Sequence, residues 1–338
     1  MPLPPSSRFQ FTADLTICRI LNGMWQVSGA HGAIEPARAV GEMFAYHDAG
    51  FPTWDLADHY GPAEDFIGNF RRLFAARHGA GRLSEIQAFT KWVPHAGRMT
   101  RRIVEEAIGV SLSRVGVECL DLLQLNWWDY SDENYLEALD HLTDLQYEGK
   151  IRHLALTNFD TERLRIITEH GVPIVSNQVQ YSLVDRRPEV WMAAFCRERG
   201  TTFLADGTLL GGLLSEKYLG RPEPPRAELN TASLQKYKRM IATWGGWALF
   251  QELLAVLKQI ADKHQVSIAN VGVRYILDRP AVAGVIVGAR LGVAEHIADN
   301  ARVFGFELDT DDHTAIETVL AKSRDLIKLI GDCGDEYR

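Results

Sequence analysis

The chain has 338 residues, 46% hydrophobic and 24% charged, with a formal net charge of −8. That length suits one α/β barrel with insertions and a core that needs no covalent staples. The acidic balance argues against nucleic acid or an anionic membrane surface as a partner. Four scattered cysteines, Cys18, Cys119, Cys196 and Cys333, contain no C-x-x-C pair, so neither a disulfide framework nor a structural zinc site is expected.

Residues 1–8 read as a loose arm without the apolar run of a signal peptide, and no apolar stretch approaches the ~18 residues of a membrane helix. The cytoplasm is the default location. Strands rich in β-branched and apolar residues follow near 17–25, 53–57, 86–91, 120–126, 153–157, 175–178, 202–205 and 284–287. Between them lie helical patterns. The stretch 35–49 opens at Pro36 and stops at Gly50, and 100–115 opens at Thr100. The stretch 134–148 carries Leu136, Leu139, Leu142 and Leu145 at helical spacing. Further helices are expected at 161–170, 188–199, 249–264, 268–277 and 294–303, with a helical tail at 314–330. Eight strand–helix alternations predict a (β/α)8 barrel over one domain, 1–338. No G-x-G-x-x-G follows a strand, which disfavours the open dinucleotide-binding sheet. The rhythm breaks at 221–247, which contains Pro222, Pro224, Pro225 and Trp244-Gly245-Gly246-Trp247. This reads as a long loop insertion after the seventh strand, near the barrel mouth.

The strongest chemical signal is Asp55-Leu56-Ala57-Asp58-His59-Tyr60-Gly61 at the end of one strand, with Lys91 closing the next. Their side chains are expected to converge at one face of the barrel. A phenol titrates near pH ~10, a neighbouring ammonium lowers that value, and a carboxylate orients the ammonium. Such a Tyr can act as general acid to a developing alkoxide. Singly, each residue is commonplace and a strand-end Asp is often a loop cap; the ordered set is what carries weight. Asp55, Asp58, His59 and Glu64 match no familiar metal-ligand spacing, so no metal is expected. No G-x-S-x-G surrounds Ser28, which leaves a hydrolase elbow without support.

On these residues, the chain resembles the aldo-keto reductase superfamily from about residue 17 to 306. Further segments that carry the likeness are Leu120-Asp121-Leu122-Leu123-Gln124-Leu125, Glu148-Gly149-Lys150-Ile151-Arg152, Asn177-Gln178-Val179-Gln180-Tyr181, Gly212-Leu213-Leu214-Ser215-Glu216-Lys217-Tyr218 and Val287-Gly288-Ala289-Arg290. The resemblance implies a hydride transfer between a nicotinamide cofactor and a small carbonyl or alcohol substrate. Tyr60 would be the proton donor, tuned by Lys91 and Asp55. Thr157, Asn158 and Gln178 would surround the nicotinamide carboxamide, with Met24 and Trp25 beside cofactor or substrate. Asp206, Gly207, Leu209, Gly211 and Lys217 would follow the nicotinamide and pyrophosphate. Gly288, Arg290, His296 and Asn300 would hold the adenosine end. Arg290 either pairs with a 2′-phosphate, favouring NADP(H) over NAD(H), or is an ordinary surface charge.

Two positions depart from the family. Asn126 stands where the family has a His that donates to the substrate carbonyl, as it does in the similar voltage-gated potassium channel beta subunits. Asn keeps an N–H donor but cannot titrate. That substitution implies, as the alternative, a slow reductase serving as a cofactor-binding accessory subunit. Asp206 replaces an aromatic platform for the nicotinamide ring; it either favours the cationic, oxidised cofactor or is a solvent-facing Asp-Gly turn.

Overall fold

The computed structural model describes residues 3–29, 34–293 and 296–338. Eight parallel strands close into a barrel: β3 (Ile20–Gly23), β4 (Thr53–Asp55), β5 (Gln87–Trp92), β6 (Leu122–Leu125), β7 (Leu154–Thr157), β8 (Ile174–Gln180), β9 (Thr202–Asp206) and β10 (Val282–Gly288), with β10 returning to β3. A hairpin, β1 (Arg8–Thr12) with β2 (Leu15–Cys18), precedes them. Phe11, Leu15 and Ile17 from the hairpin bury against Leu21, Phe89, Leu122, Ala155, Leu204 and Ala283 of the barrel strands. The Phe11 and Phe89 rings stack with centroids 5.7 Å apart. The hairpin is thus an apolar stopper at the amino ends of the strands.

The expected loose arm is tied down over its described residues. Ser7 Oγ donates to the Pro4 carbonyl (2.6 Å), the Arg19 amide to the Ser7 carbonyl (2.8 Å), and Arg8 to the Gly50 carbonyl (3.0 Å). Leu3 packs on the core. Hairpin pairing with β2 and the bonds to Arg19 and Gly50 outweigh the entropy of an ordered arm.

Helices cover the outside. In α1 (Pro36–Asp48) the Glu35 side chain accepts from the amides of Ala37 and Arg38, and Pro36 takes the first turn. Between β4 and β5 runs α2 (Ala63–His78), whose Phe66, Ile67, Phe70 and Phe74 face the core at helical spacing. That spacing marks a helix which the pattern of strands and helices read along the chain does not include. α3 (Arg101–Val115), α4 (Tyr135–Tyr147), α5 (Thr161–Glu169) and α6 (Met192–Arg199) follow the next four strands.

The expected loop insertion after the seventh strand is largely helical. α7 (Ala232–Trp244) begins at a Thr231 cap and buries Leu234, Tyr237, Met240, Ile241 and Trp244. At Gly245–Gly246 the chain turns by 98° into α8 (Gly246–His264). Prolines and tryptophans disguised this segment, yet its apolar residues recur with a helical period. α9 (Ile268–Leu277) precedes β10, and α10 (Ile297–Arg302) follows it; the start of the expected helix at 294 lies outside the described residues. The expected tail helix is two pieces, α11 (Thr310–Leu320) and α12 (Leu326–Ile330). Among the described residues no single helix is long and apolar enough to cross a membrane.

Candidate active site

The carboxyl ends of the strands gather the chemistry, because in parallel pairing every strand ends at the same rim. Asp55 pairs in register with Gly23 and Phe89, Lys91 with Gln124, Gln178 with Thr157 and Leu204, and Gly288 with Gly23. Lys91 Nζ donates to both Asp55 oxygens at 2.7 Å and to the Leu56 carbonyl at 2.8 Å. Asp55 Oδ1 also accepts from Gln124 Nε2 (3.2 Å). Asp55 and Lys91 are each 3% exposed at the side chain, so this is a desolvated ion pair.

Tyr60 stands half-buried above the pair, its ring centroid 4.9 Å from Lys91 Nζ. Trp25 packs edge-on against it at 5.1 Å and His59 at 4.9 Å. The lowering of the phenol pKa expected from the ammonium does not occur. Burial pushes Tyr60 well above its ordinary value, and the negative charges of Asp55, Asp206 and Asp58 push the same way. Lys91 has three protons and all three are given to Asp55 and Leu56, so none is left for the phenol. Tyr60 is therefore held protonated.

Around the rim, Met24 is buried and its amide donates to the Asp55 carbonyl (3.0 Å). Asn126 is buried beside Asn158, whose Nδ2 lies 3.2 Å from the Asn126 amide. The Thr157 carbonyl and the Trp127 amide, at 3.2 and 3.3 Å, bracket the same group. Asn158 adopts φ 60°, and its amide donates to the Gln178 carbonyl (2.8 Å). Thr157 and Gln178 are buried.

Asp206, at the end of β9, faces the mouth rather than solvent. Its Oδ1 is buried without a hydrogen-bond partner. Burial raises its pKa, opposed by the charges of Lys236 and Lys91 and by the Gln178 amide. The turn behind it places Gly207 and Gly211 at φ 66° and 65°, where glycine is favoured. Gly288 closes β10, Asn300 is buried on α10, and Arg290 and His296 are exposed on the connection between them. Lys217 does not join the cluster; it lies on the surface with its ammonium over the Tyr218 ring (5.1 Å).

Several neighbours were not legible in the sequence. Gln124 braces Asp55. Buried Glu64 accepts from Thr90 Oγ1 (2.6 Å) beneath the Tyr60 loop. Asp185 and Arg187 pair at 2.8 Å, and Arg187 also meets Glu336 at 2.9 Å. Lys236 and Tyr237 of α7, with Tyr337, crowd Asp206; each of these phenols is pushed up by burial first and by the Asp206 charge next.

The acceptor set suits a nicotinamide dinucleotide: Gln178 Oε1 and Asp206 Oδ1 are buried oxygens without a hydrogen-bond partner. The volume is another matter. A Cβ at Gly207 would collide with the Tyr237 hydroxyl, one at Gly288 with the Gln26 amide, and one at Gly211 would meet Ser233 at 3.0 Å. Two cavities of about 440 and 550 Å3 lie, respectively, between α2 and α3 and beside Arg19 and Arg274; Tyr60 and Asp206 line neither. The residues fit the cofactor chemically, while the Tyr237 hydroxyl of α7 stands against the Gly207 turn.

A model of the aldo/keto reductase family matches residues 19–321, and the chain belongs to that family. It is 32% identical over 260 residues to flagellar radial spoke protein 5 of Chlamydomonas reinhardtii, a match covering 66% of this chain but only 49% of that protein's length. Aldo-keto reductase str7 of Strobilurus tenacellus is 26% identical over 88% of this chain and 85% of its own. Among solved structures, a glycerol dehydrogenase from Gluconobacter oxydans superposes with TM-score 0.78 at 23% identity, covering 94% and 96% of the two chains. An aldo/keto reductase from Klebsiella pneumoniae, in complex with NADP and acetate, superposes with TM-score 0.68 at 21% identity over 93% and 95%. The two superpositions speak to the fold.

Proposed function

We propose that the protein is an NADP(H)-dependent oxidoreductase acting between a small carbonyl and its alcohol, in the cytoplasm, with Tyr60 as proton donor. The observation that carries this reading is the assembled Asp55–Lys91–Tyr60 set at the strand ends. The bound nicotinamide supplies or accepts the hydride. Tyr60 Oη delivers a proton to the carbonyl oxygen, and its raised pKa keeps that proton in place until the alkoxide develops. Lys91, fixed by Asp55, places a positive charge under the phenol and steadies the phenolate left behind. Asn126 offers an amide N–H to the same carbonyl oxygen.

Toward the cofactor, Gln178 Oε1 is a free acceptor for the carboxamide N–H, with Thr157 and Asn158 beside it. Gly207, Leu209 and Gly211 would pass the pyrophosphate, Gly288, His296 and Asn300 the adenosine, and exposed Arg290 a 2′-phosphate, which favours NADP(H) over NAD(H). The NADP in the Klebsiella protein supports the same choice. Names among the relatives, such as L-glyceraldehyde 3-phosphate reductase of Escherichia coli, support small carbonyls as substrates. Turnover of small aldehydes and ketones with NADPH, lost about 10²–10⁴-fold in Tyr60→Phe with folding unchanged, tests the assignment. Equal turnover in that variant would remove Tyr60 from the mechanism.

A second reading, a slow reductase serving as a cofactor-binding accessory subunit, is favoured by Asn126, whose amide is already bracketed by its neighbours. Cofactor binding with turnover far below ordinary enzymes, insensitive to Tyr60→Phe, would select it.

A further inference from the structure

The space over Asp206 is occupied by the chain itself, from two segments far apart in sequence. From α7, Ser233 rests on Gly211, and Tyr237 sets its hydroxyl against Gly207. Lys236 sends its ammonium over the Tyr237 ring (5.0 Å) and the Tyr337 ring (4.3 Å), and donates to the Tyr337 hydroxyl. From the other side, the segment Gly334–Arg338 lies across the strand ends. Gly334 abuts the Asn158 carbonyl so closely that a Cβ there would overlap it. Arg338 donates to the carbonyls of Trp127 (2.6 Å) and Asn158 (2.9 Å) and stacks 3.7 Å from the Tyr130 ring centroid. Glu336 is tethered to Arg187 (2.9 Å). Behind the mouth, the connection that leads into α12 is tied to the end of α7, where the Arg324 amide donates to the Trp244 carbonyl (2.7 Å).

We propose that α7 and Gly334–Arg338 form a single autoinhibitory plug whose Lys236, Tyr237 and Tyr337 sit where the nicotinamide end of the cofactor would lie. Before the cofactor enters, α7 must swing about Gly245–Gly246 and part from Gly334–Arg338, which must lift from the Trp127 and Asn158 carbonyls. This rests on the cofactor reading above. From α7, the Lys236 charge opposes the effect of burial on the Asp206 carboxylate, as the positively charged oxidised nicotinamide would do in its place. At the 98° break Gly246 holds φ 85° with open space beside it, while Gly245 packs on the Leu249 side chain, and this glycine pair offers the pivot. Closed and open forms then exchange, and the apparent affinity for cofactor falls by the open fraction.

The test is stopped-flow quenching of tryptophan fluorescence by NADP+, on the unaltered chain and on a Tyr337→Ala/Arg338→Ala variant. Hydrogen exchange of the unaltered chain is followed with and without NADP+. In the unaltered chain the binding rate should level off with NADP+ concentration, because opening limits it. In the variant the plateau should rise about tenfold or more, with apparent affinity moving the same way. On the unaltered chain, saturating NADP+ should speed exchange across 232–244 and 334–338, a readout that does not depend on the variant folding. Rates linear in NADP+ with the same slope in both proteins, and no change in exchange, would overturn the plug while leaving the cofactor reading intact. No binding by either protein would overturn the cofactor reading and the plug with it.

Discussion

Removing Lys91 isolates the energetics of the site from its chemistry. Lys91→Met deletes three hydrogen bonds at 2.7–2.8 Å and leaves Asp55 buried with Gln124 as its remaining side-chain donor. Breaking a buried pair by losing one partner costs about 3–5 kcal/mol, because the other charge stays desolvated. Burial already raises the Asp55 pKa against the pull of Lys91, so without Lys91 it should rise further and the carboxyl take up a proton, which moderates the loss. At about 2.1 cal/mol/K per residue, 338 residues give an unfolding entropy near 0.7 kcal/mol/K, so each kcal/mol moves Tm by about 1.4 °C. The single variant should therefore melt about 4–7 °C lower. Asp55→Leu/Lys91→Met, which removes both charges, should recover much of that. Calorimetry or urea unfolding of the two single variants and the double closes the cycle. A Tm change under about 1.5 °C for Lys91→Met, or a double variant as costly as the two singles combined, would refute the picture of a desolvated pair.

The raised phenol pKa of Tyr60 has a definite sign. A group whose pKa lies above its ordinary value keeps its proton below it, so carbonyl reduction should stay flat from about pH 6 to 9, whereas alcohol oxidation, which needs the phenolate, should climb with pH. A reduction rate that falls through a pKa below about 8 would contradict this. Asp206 beside the nicotinamide position should make NADP+ bind more tightly than NADPH; the plug cannot mask the ratio, since its closed fraction lowers both affinities alike. Paired fluorescence titrations decide it, and NADPH binding as well or better would dispose of the idea. Two helical glycines should answer oppositely to alanine. At Gly68 a Cβ would overlap the Arg114 carbonyl where α2 crosses α3, so Gly68→Ala should cost about 1–3 kcal/mol or more. At exposed Gly41 in α1 the space is open, and Gly41→Ala should gain up to about 1 kcal/mol, read by thermal melting.

What could be read along the chain was whatever repeats locally. The alternation of β-branched runs with helical periods announced the barrel, and each barrel strand lies where a run was read. Because parallel strands end at one rim, Asp55, Tyr60 and Lys91 could be grouped by position, and the family resemblance set Asn126, Thr157, Gln178 and Asp206 beside them. Local composition also misled. Prolines and the Trp-Gly-Gly-Trp run hid α7, and a proline-rich opening made residues 3–8 look unattached when their partners lie on the barrel.

The barrel, the family and the strand-end residues follow from periodicity, chain order and motif along the chain. The direction in which the Tyr60 pKa moves does not, because it depends on how deeply the folded chain buries the phenol and on which carboxylates close in. The tertiary structure alone also placed Lys236 against Tyr337, 101 residues away. Contacts at that separation are set by packing of whole elements, and no local pattern encodes them.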